Sequence, residues 1–185
     1  MNYLKKITDE DFGLISRTFV NPRKRIGARG IIFNCDNKIG ILFKRNKNEY
    51  KLIGGGVDEF ETPEEAFNRE ALEETGYSIC IDDFIGIIEE YKSLDNFQQQ
   101  SYIYVAHVIE QKGKPQYTKQ EQVEGSELLW LDIDEAINLI KNSENYLLAS
   151  TEESHMSLYH TKFIVRRDYE ILNYYKKIKS GVIQK

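Results

Sequence analysis

The chain is short of several features that would mark particular classes of protein. It has only two cysteines, Cys35 and Cys80, in 185 residues. Two cysteines cannot build the disulfide framework of a small secreted domain, and these two lack the spacing of a metal-binding pair. They read as free, buried thiols in a reducing compartment. The histidines, His107, His155 and His160, are scattered, which argues against a zinc site. No stretch approaches the ~20 consecutive apolar residues of a membrane span. Lys5, Lys6, Asp9, Glu10 and Asp11 interrupt the apolar run that a signal peptide would need. The expectation is therefore a cytoplasmic protein that does not enter a membrane. An excess of positive charge is also missing. Lys and Arg total 25 against 30 Asp and Glu, a net charge of −5. That balance argues against a general nucleic-acid binder, but not against a small phosphorylated substrate held through a metal ion. Nothing resembling a repeat or low-complexity linker divides the chain. Residues 1–185 read as a single domain, with 1–22 as a lead-in and 150–185 as a C-terminal helical extension.

What is present is enough apolar material for a core, at 41% hydrophobic and 12% aromatic residues. Residues 26–33 read as a strand interrupted by small residues, followed by a turn at Asp36-Asn37-Lys38 and a returning strand over 39–44. A short strand over 50–53 leads into three glycines. Further strands are expected over 78–81, 84–91, 98–109 and 128–131, the long third of these rich in β-branched and aromatic residues. Residues 113–125 read as a polar loop and 142–154 as polar and irregular. A helix is expected over 135–141, and the apolar spacing from 157 to 179 fits one or two more. Two basic groups stand out. Pro22-Arg23-Lys24-Arg25 reads as a solvated turn or as a phosphate-attracting rim. Arg166, Arg167, Lys176, Lys177 and Lys179 read as a solvated face or a partner-docking surface.

The most informative stretch runs from Gly54 to Tyr77, GGGVDEFETPEEAFNREALEETGY. Thr62 and Glu65 form a capping-box pair around Pro63, and Gly76 is a natural stop, so a helix is expected from Pro63 to Thr75. On it Glu70, Glu73 and Glu74 fall within an arc of roughly 100°. Like charges this close oppose helix formation unless they are solvated or a cation sits over them. An all-oxygen carboxylate site suits a hard ion such as Mg²⁺ or Mn²⁺. Glycines just before such a helix let the backbone approach a phosphate or metal closely.

Gly55, Glu61, Arg69, Glu70, Glu73, Glu74 and Gly76 fit G-x5-E-x7-R-E-U-x-E-E-x-G-U without a gap, U being a bulky apolar residue. Ala71 and Tyr77 fill the U positions, Ala71 weakly. Seven fixed identities would coincide by chance on the order of once in 10⁸ trials. This pattern is the Nudix box, and the chain resembles the Nudix hydrolase family. The resemblance implies an α/β/α sandwich, a mixed sheet between helices with the box helix on one face. It implies Mg²⁺- or Mn²⁺-dependent hydrolysis of a phosphoanhydride bond in a nucleoside diphosphate linked to another group. By position it makes Glu70, Glu73 and Glu74 the metal-binding carboxylates and adds the backbone carbonyl of Gly55. Arg69 and Glu61 correspond to a brace that holds the carboxylates. Arg45, after the second strand, corresponds to a basic residue that often meets substrate phosphate.

The general base varies in the family. The loop before the last strand offers Glu121, Glu124 and Glu127, of which Glu121 lies deepest and is preferred. Two positions depart from the usual pattern. Ile53 stands where many members have proline, and Phe60 where many have glycine or a small polar residue, so Phe60 could line the substrate mouth. Tyr102, Tyr104 and Phe97 could stack a base or pack in the core. No sub-family marker identifies the substrate, and a nucleoside triphosphate or similar nucleotide is the default. Many members form homodimers, a point on which these residues are silent. The competing reading is a non-catalytic nucleotide sensor on the same fold. Such proteins usually lose box glutamates, and this chain keeps all four.

Overall fold

The computed structural model describes residues 3–149 and 155–183, without the side chains of 144–149 and 155. Seven strands form one mixed sheet: β1 Tyr3–Ile7, β2 Arg23–Phe33, β3 Ile39–Lys44, β4 Glu49–Gly56, β5 Tyr77–Lys92, β6 Phe97–Gln111 and β7 Ser126–Leu131. Their order across the sheet is β1-β5-β6-β2-β4-β3-β7. The pairs β1–β5 and β2–β6 are parallel and the remaining neighbours antiparallel. Four helices complete the fold: α1 Pro63–Thr75, α2 Lys119–Val123, α3 Ile133–Ala149 and α4 His155–Lys179.

Side chains alternate across the pleat and divide the core in two. Ile31, Ile41, Leu52, Ile103 and Val105 pack with Ala136 and Ile140 of α3 and Phe163, Ile171 and Leu172 of α4. Their neighbours Ile32, Leu42, Ile53, Tyr104 and Ala106 face the other way, against Ala66, Phe67 and Ala71 of α1. The architecture is thus the expected α/β/α sandwich with the box helix on one face. Gly30 explains the small residues in β2. A Cβ there would sit 2.8 Å from the Phe67 ring and 2.2 Å from the Tyr104 carbonyl oxygen, so the α1 layer needs a residue without one.

Several local expectations give way to longer elements. The strands expected over 78–81 and 84–91 are one strand, β5, whose register against β6 shifts three times, two of the shifts passing over Asp82 and Ile85 while Asp83 pairs with Val105. Arg23–Arg25 are not a turn but the start of β2, paired in parallel with Phe97–Gln99. The loop over 113–125 contains α2, started by a capping box between Thr118 and Glu121. The helix α3 runs past residue 141 to Ala149, through much of the stretch read as irregular. The rest of that stretch, 150–154, lies outside the described residues. The segment over 157–179 is one helix. The lead-in adds strand β1 and a one-turn helix over Asp9–Phe12. Buried Asp9 pins it down by accepting from the Tyr159 hydroxyl at 2.8 Å and the Ser93 amide at 3.1 Å. Both cysteines are exposed, against the expectation of buried thiols. No helix among the described residues is long and apolar enough to cross a membrane.

Candidate active site

The box helix starts and stops where its capping residues dictate. The Thr62 hydroxyl accepts from the Glu65 amide at 3.2 Å, and the Glu65 carboxylate accepts from the Thr62 amide at 2.7 Å. At the other end Gly76, at φ 76°, donates its amide to the Leu72 carbonyl. This fixes the helix phase, and the arc carrying Glu70, Glu73 and Glu74 lines a cleft of about 440 Å³. The glycines at the end of β4 form part of its wall, and Gln116, Thr118 and Glu121 close it from the segment before β7.

Arg69 organises the carboxylates. Its Nε and Nη2 donate to the two oxygens of Glu61 at 3.1 and 2.6 Å. Nη1 donates to Glu70 at 2.9 Å and to Glu73 at 3.3 Å, and Nη2 also reaches the Gly56 carbonyl at 3.0 Å. All five guanidinium hydrogens are therefore matched to acceptors. The bonds from Arg69 hold the Glu61 carboxyl below its ordinary range, and the paired bonds from Glu61 raise the Arg69 pKa further. Glu61 also accepts from the Asp58 amide at 2.9 Å, closing the turn before the helix.

Glu74 is 4% exposed. It accepts from Lys51 Nζ at 2.9 Å and from the Gly54 amide at 2.8 Å. For Glu70, burial pushes the carboxyl upward; the bond from Arg69 opposes this and the charge of Glu74 adds to it. At Gly55 the backbone runs directly beside Glu70. A Cβ there would lie 2.2 Å from Glu70 Oε1, which only a glycine avoids.

The remaining expected residues divide. Glu121 lines the cleft, while its Oε2 accepts from the amide and hydroxyl of Thr118, each at 2.9 Å. Glu124 is buried outside the cleft lining and binds Lys44 at 2.8 Å and Lys47 at 2.9 Å. Burial would raise its pKa, but the bonds from Lys44, Gln120 and Lys47 win and hold it at about 2. Glu127 is engaged by Arg45 Nη2, which reaches both its oxygens at 2.9 Å. Arg45 is thus turned to Glu127 and does not line the cleft. Phe60 stands 94% exposed, also outside the lining, and its φ is not positive. Tyr104 stacks on Phe67 in the core, with centroids 5.5 Å apart.

The cleft has a basic side that pattern reading of the box did not supply. Arg25, Arg29, Lys44, Lys51 and Arg167 all line it. Arg167, read from sequence as part of a surface face, is 1% exposed. Its Nε donates to Asp168 and its Nη1 to Glu90, at 2.8 and 2.9 Å. The sequence signal that could have found it is the adjacent aspartate within an apolar helical repeat.

The donor set at the box is all oxygen, which fits a hard divalent cation. In this structure Arg69 and Lys51 take up the carboxylates. Among the described residues, the group with donor atoms all within 4.8 Å of one another is instead Cys80, Asp82 and His107, all exposed on β5 and β6. His107 Nδ1 there lies 2.7 Å from Asp82.

The family model for the NUDIX domain matches residues 23–150, well over half of the chain, and the chain belongs to the Nudix family. A provisionally named 8-oxo-dGTP diphosphatase of Bacillus subtilis (strain 168) is 33% identical over 82 residues. That match covers 44% of this chain and about half, 52%, of the relative. A MutT protein from Methanosarcina mazei Go1 superposes with a TM-score of 0.52 at 17% identity, over 85% of this chain and 99% of that one. A NUDIX hydrolase from Nitrosomonas europaea gives 0.53 at 16% identity, over 80% and 93%. At such identities the structures speak for the fold alone. Strand β1 and helix α4 fall outside the span that the family model matches.

Proposed function

We propose that the chain is a metal-dependent pyrophosphohydrolase that cleaves a phosphoanhydride bond in a nucleoside diphosphate linked to another group, a nucleoside triphosphate or related nucleotide. The observation that carries this reading is the Arg69 brace, which places Glu61, Glu70, Glu73 and the Gly56 carbonyl around one guanidinium at the mouth of a cleft. Glu70, Glu73, Glu74 and the Gly55 carbonyl would hold Mg²⁺ or Mn²⁺, which when bound supplies charge neutralisation for the phosphates and a lower pKa for an attacking water. Arg69 keeps the carboxylates from splaying, a positioning role. Lys51, which donates to Glu74 and lines the cleft, would supply a cation for a phosphate oxygen there.

In the reaction, water adds to one phosphorus and the bridging oxygen leaves with the electron pair of the broken bond. The water's proton goes to a carboxylate. Glu121 is preferred among the three loop glutamates, because Glu124 and Glu127 are already engaged by lysines and Arg45. Glu121 must release the Thr118 hydroxyl to act.

A phosphate-release screen over nucleoside triphosphates, 8-oxo-dGTP, nucleotide-sugars and dinucleotides, with Mg²⁺, Mn²⁺ or chelator, tests the proposal. Turnover that disappears with chelator is expected, and Glu74→Gln should lower kcat/KM by at least ~10²-fold. Silence across the panel with both ions would remove the reading.

A further inference from the structure

A second cavity, of about 340 Å³, adjoins the cleft and shares Arg25, Arg29, Ile164 and Arg167 with it. It lies between the start of β2, the start of β6 and helix α4. Its floor is an unbalanced charge cluster. Arg29, Lys92 and Arg167 meet Glu90 and Asp168, and none of the five is more than 6% exposed. Asp95 also lines the cavity, paired with Arg23 at 2.8 Å and 3.2 Å from His160. With Arg23 and Arg25 counted, five cations meet three carboxylates, Glu90, Asp95 and Asp168, and positive charge remains in excess.

The donors are also unmatched. Arg29 Nε and Nη1 and Arg167 Nη2 are buried without a hydrogen-bond partner. Asp168 Oδ2, the ion-pair partner of Arg29 Nη1, is 3.9 Å away, beyond bonding distance. Buried unsatisfied donors are rare and call for a cause, and an excess of charge favours an anion over a water molecule. At the rim, Arg25 has no carboxylate partner among the described residues and lies over Gly56, whose hypothetical Cβ would be 2.4 Å from its Nη2.

We propose that this cavity is a subsite for a phosphate group, with Arg29 and Arg167 as its floor and Arg25 as its rim. Guanidinium forks match phosphate oxygens, and two forks on one anion are typical of phosphate recognition. Arg167 and Ile164 belong to α4, beyond the span of the family match, whereas Arg25 and Arg29 lie within it. Because it opens into the cleft, its phosphate is either a second phosphoryl group on the substrate, remote from the scissile anhydride, or a separate phosphate that binds alongside. The substrate version rests on the proposed hydrolytic function; the phosphate site itself does not.

The test is calorimetric titration of inorganic phosphate into the full chain with chelator present, so that the box carries no metal. Wild type and Glu74→Gln should both bind. Ile164→Glu, which puts a carboxylate at the mouth on a half-buried position, and Arg25→Ala, which removes an exposed side chain, should each weaken binding by about tenfold, with thermal melts confirming their fold. No binding by wild type, or binding indifferent to both variants, overturns the proposal. Once a hydrolysed substrate is known, competitive inhibition by phosphate that Ile164→Glu relieves assigns the subsite to the substrate's own second phosphate. Any other effect of phosphate that Ile164→Glu abolishes assigns it to a separate ligand. Phosphate binding without turnover on any nucleotide would leave the subsite standing and remove only the hydrolytic reading.

Discussion

Arg69 and Arg167 each gather carboxylates, and the contrast between them divides the molecule. Arg69 sits at the mouth of the cleft, spends every donor hydrogen, and finds its partners within thirteen residues of itself. Arg167 is buried under the sheet and bridges Glu90, 77 residues away, to its neighbour Asp168, with one nitrogen left over. The first is a local device that a spacing pattern can announce. The second is a product of packing, since it exists only when α4 lies on the sheet and β5 presents Glu90 inward. A solvated brace can be lost without unfolding the chain, whereas a buried one cannot.

The largest expected effect breaks the buried side of this contrast. Arg167→Met removes the buried hydrogen bonds that hold Glu90 and Asp168, and urea unfolding should show a loss of about 3–5 kcal/mol. A change below 1 kcal/mol would mean that the cluster is hydrated rather than dry. On the exposed side, Arg69→Lys keeps the charge but loses the fork. The expected outcome is a 10- to 100-fold fall in metal affinity or in kcat/KM, with unfolding nearly unchanged. A metal titration and a melt on the same sample separate the two.

A smaller effect concerns pH. Glu124 has its carboxyl lowered from 4.5 to about 2 in the folded chain. A depressed carboxylate stabilises fully above its unfolded pKa, and that contribution is lost as pH falls from 4.5 towards 2. In Glu124→Gln the stability–pH curve should be flatter over that window, and stability at neutral pH should fall by roughly 1–3 kcal/mol. An unchanged acid slope would assign the window to other carboxylates. The smallest effect is expected at Phe60. With its ring in solvent, Phe60→Ala should stay within about 0.5 kcal/mol in stability. A clear rise in KM in that variant would place Phe60 at the substrate after all.

Much of the fold could be read from residues alone. The box helix has the limits that Thr62, Pro63 and Gly76 announce, because capping is local chemistry. The reading failed where long-range contacts decided. Asp82 and Asp83 looked like a strand break, but pairing with the long β6 carries β5 through them with register shifts. Arg23–Arg25 looked like a turn, and parallel pairing with β6 makes them strand. Glu121, Glu124 and Glu127 looked alike. Tertiary placement turns Glu124 to two lysines and Glu127 to Arg45, and leaves Glu121 at the cleft.

By itself the sequence determined the family, the sandwich and the shared face of the box carboxylates. The shared face follows from spacing along one helix, where geometry repeats every few residues; the family follows from the match to the box, and the sandwich from what that resemblance implies. Only the tertiary structure decided which cations meet which anions: Lys51 on Glu74, Arg29 and Arg167 beneath a second cavity, and Arg45 turned away from the cleft. Those partners lie on elements far apart in the chain, and charges carry no period that would pair them before the chain folds.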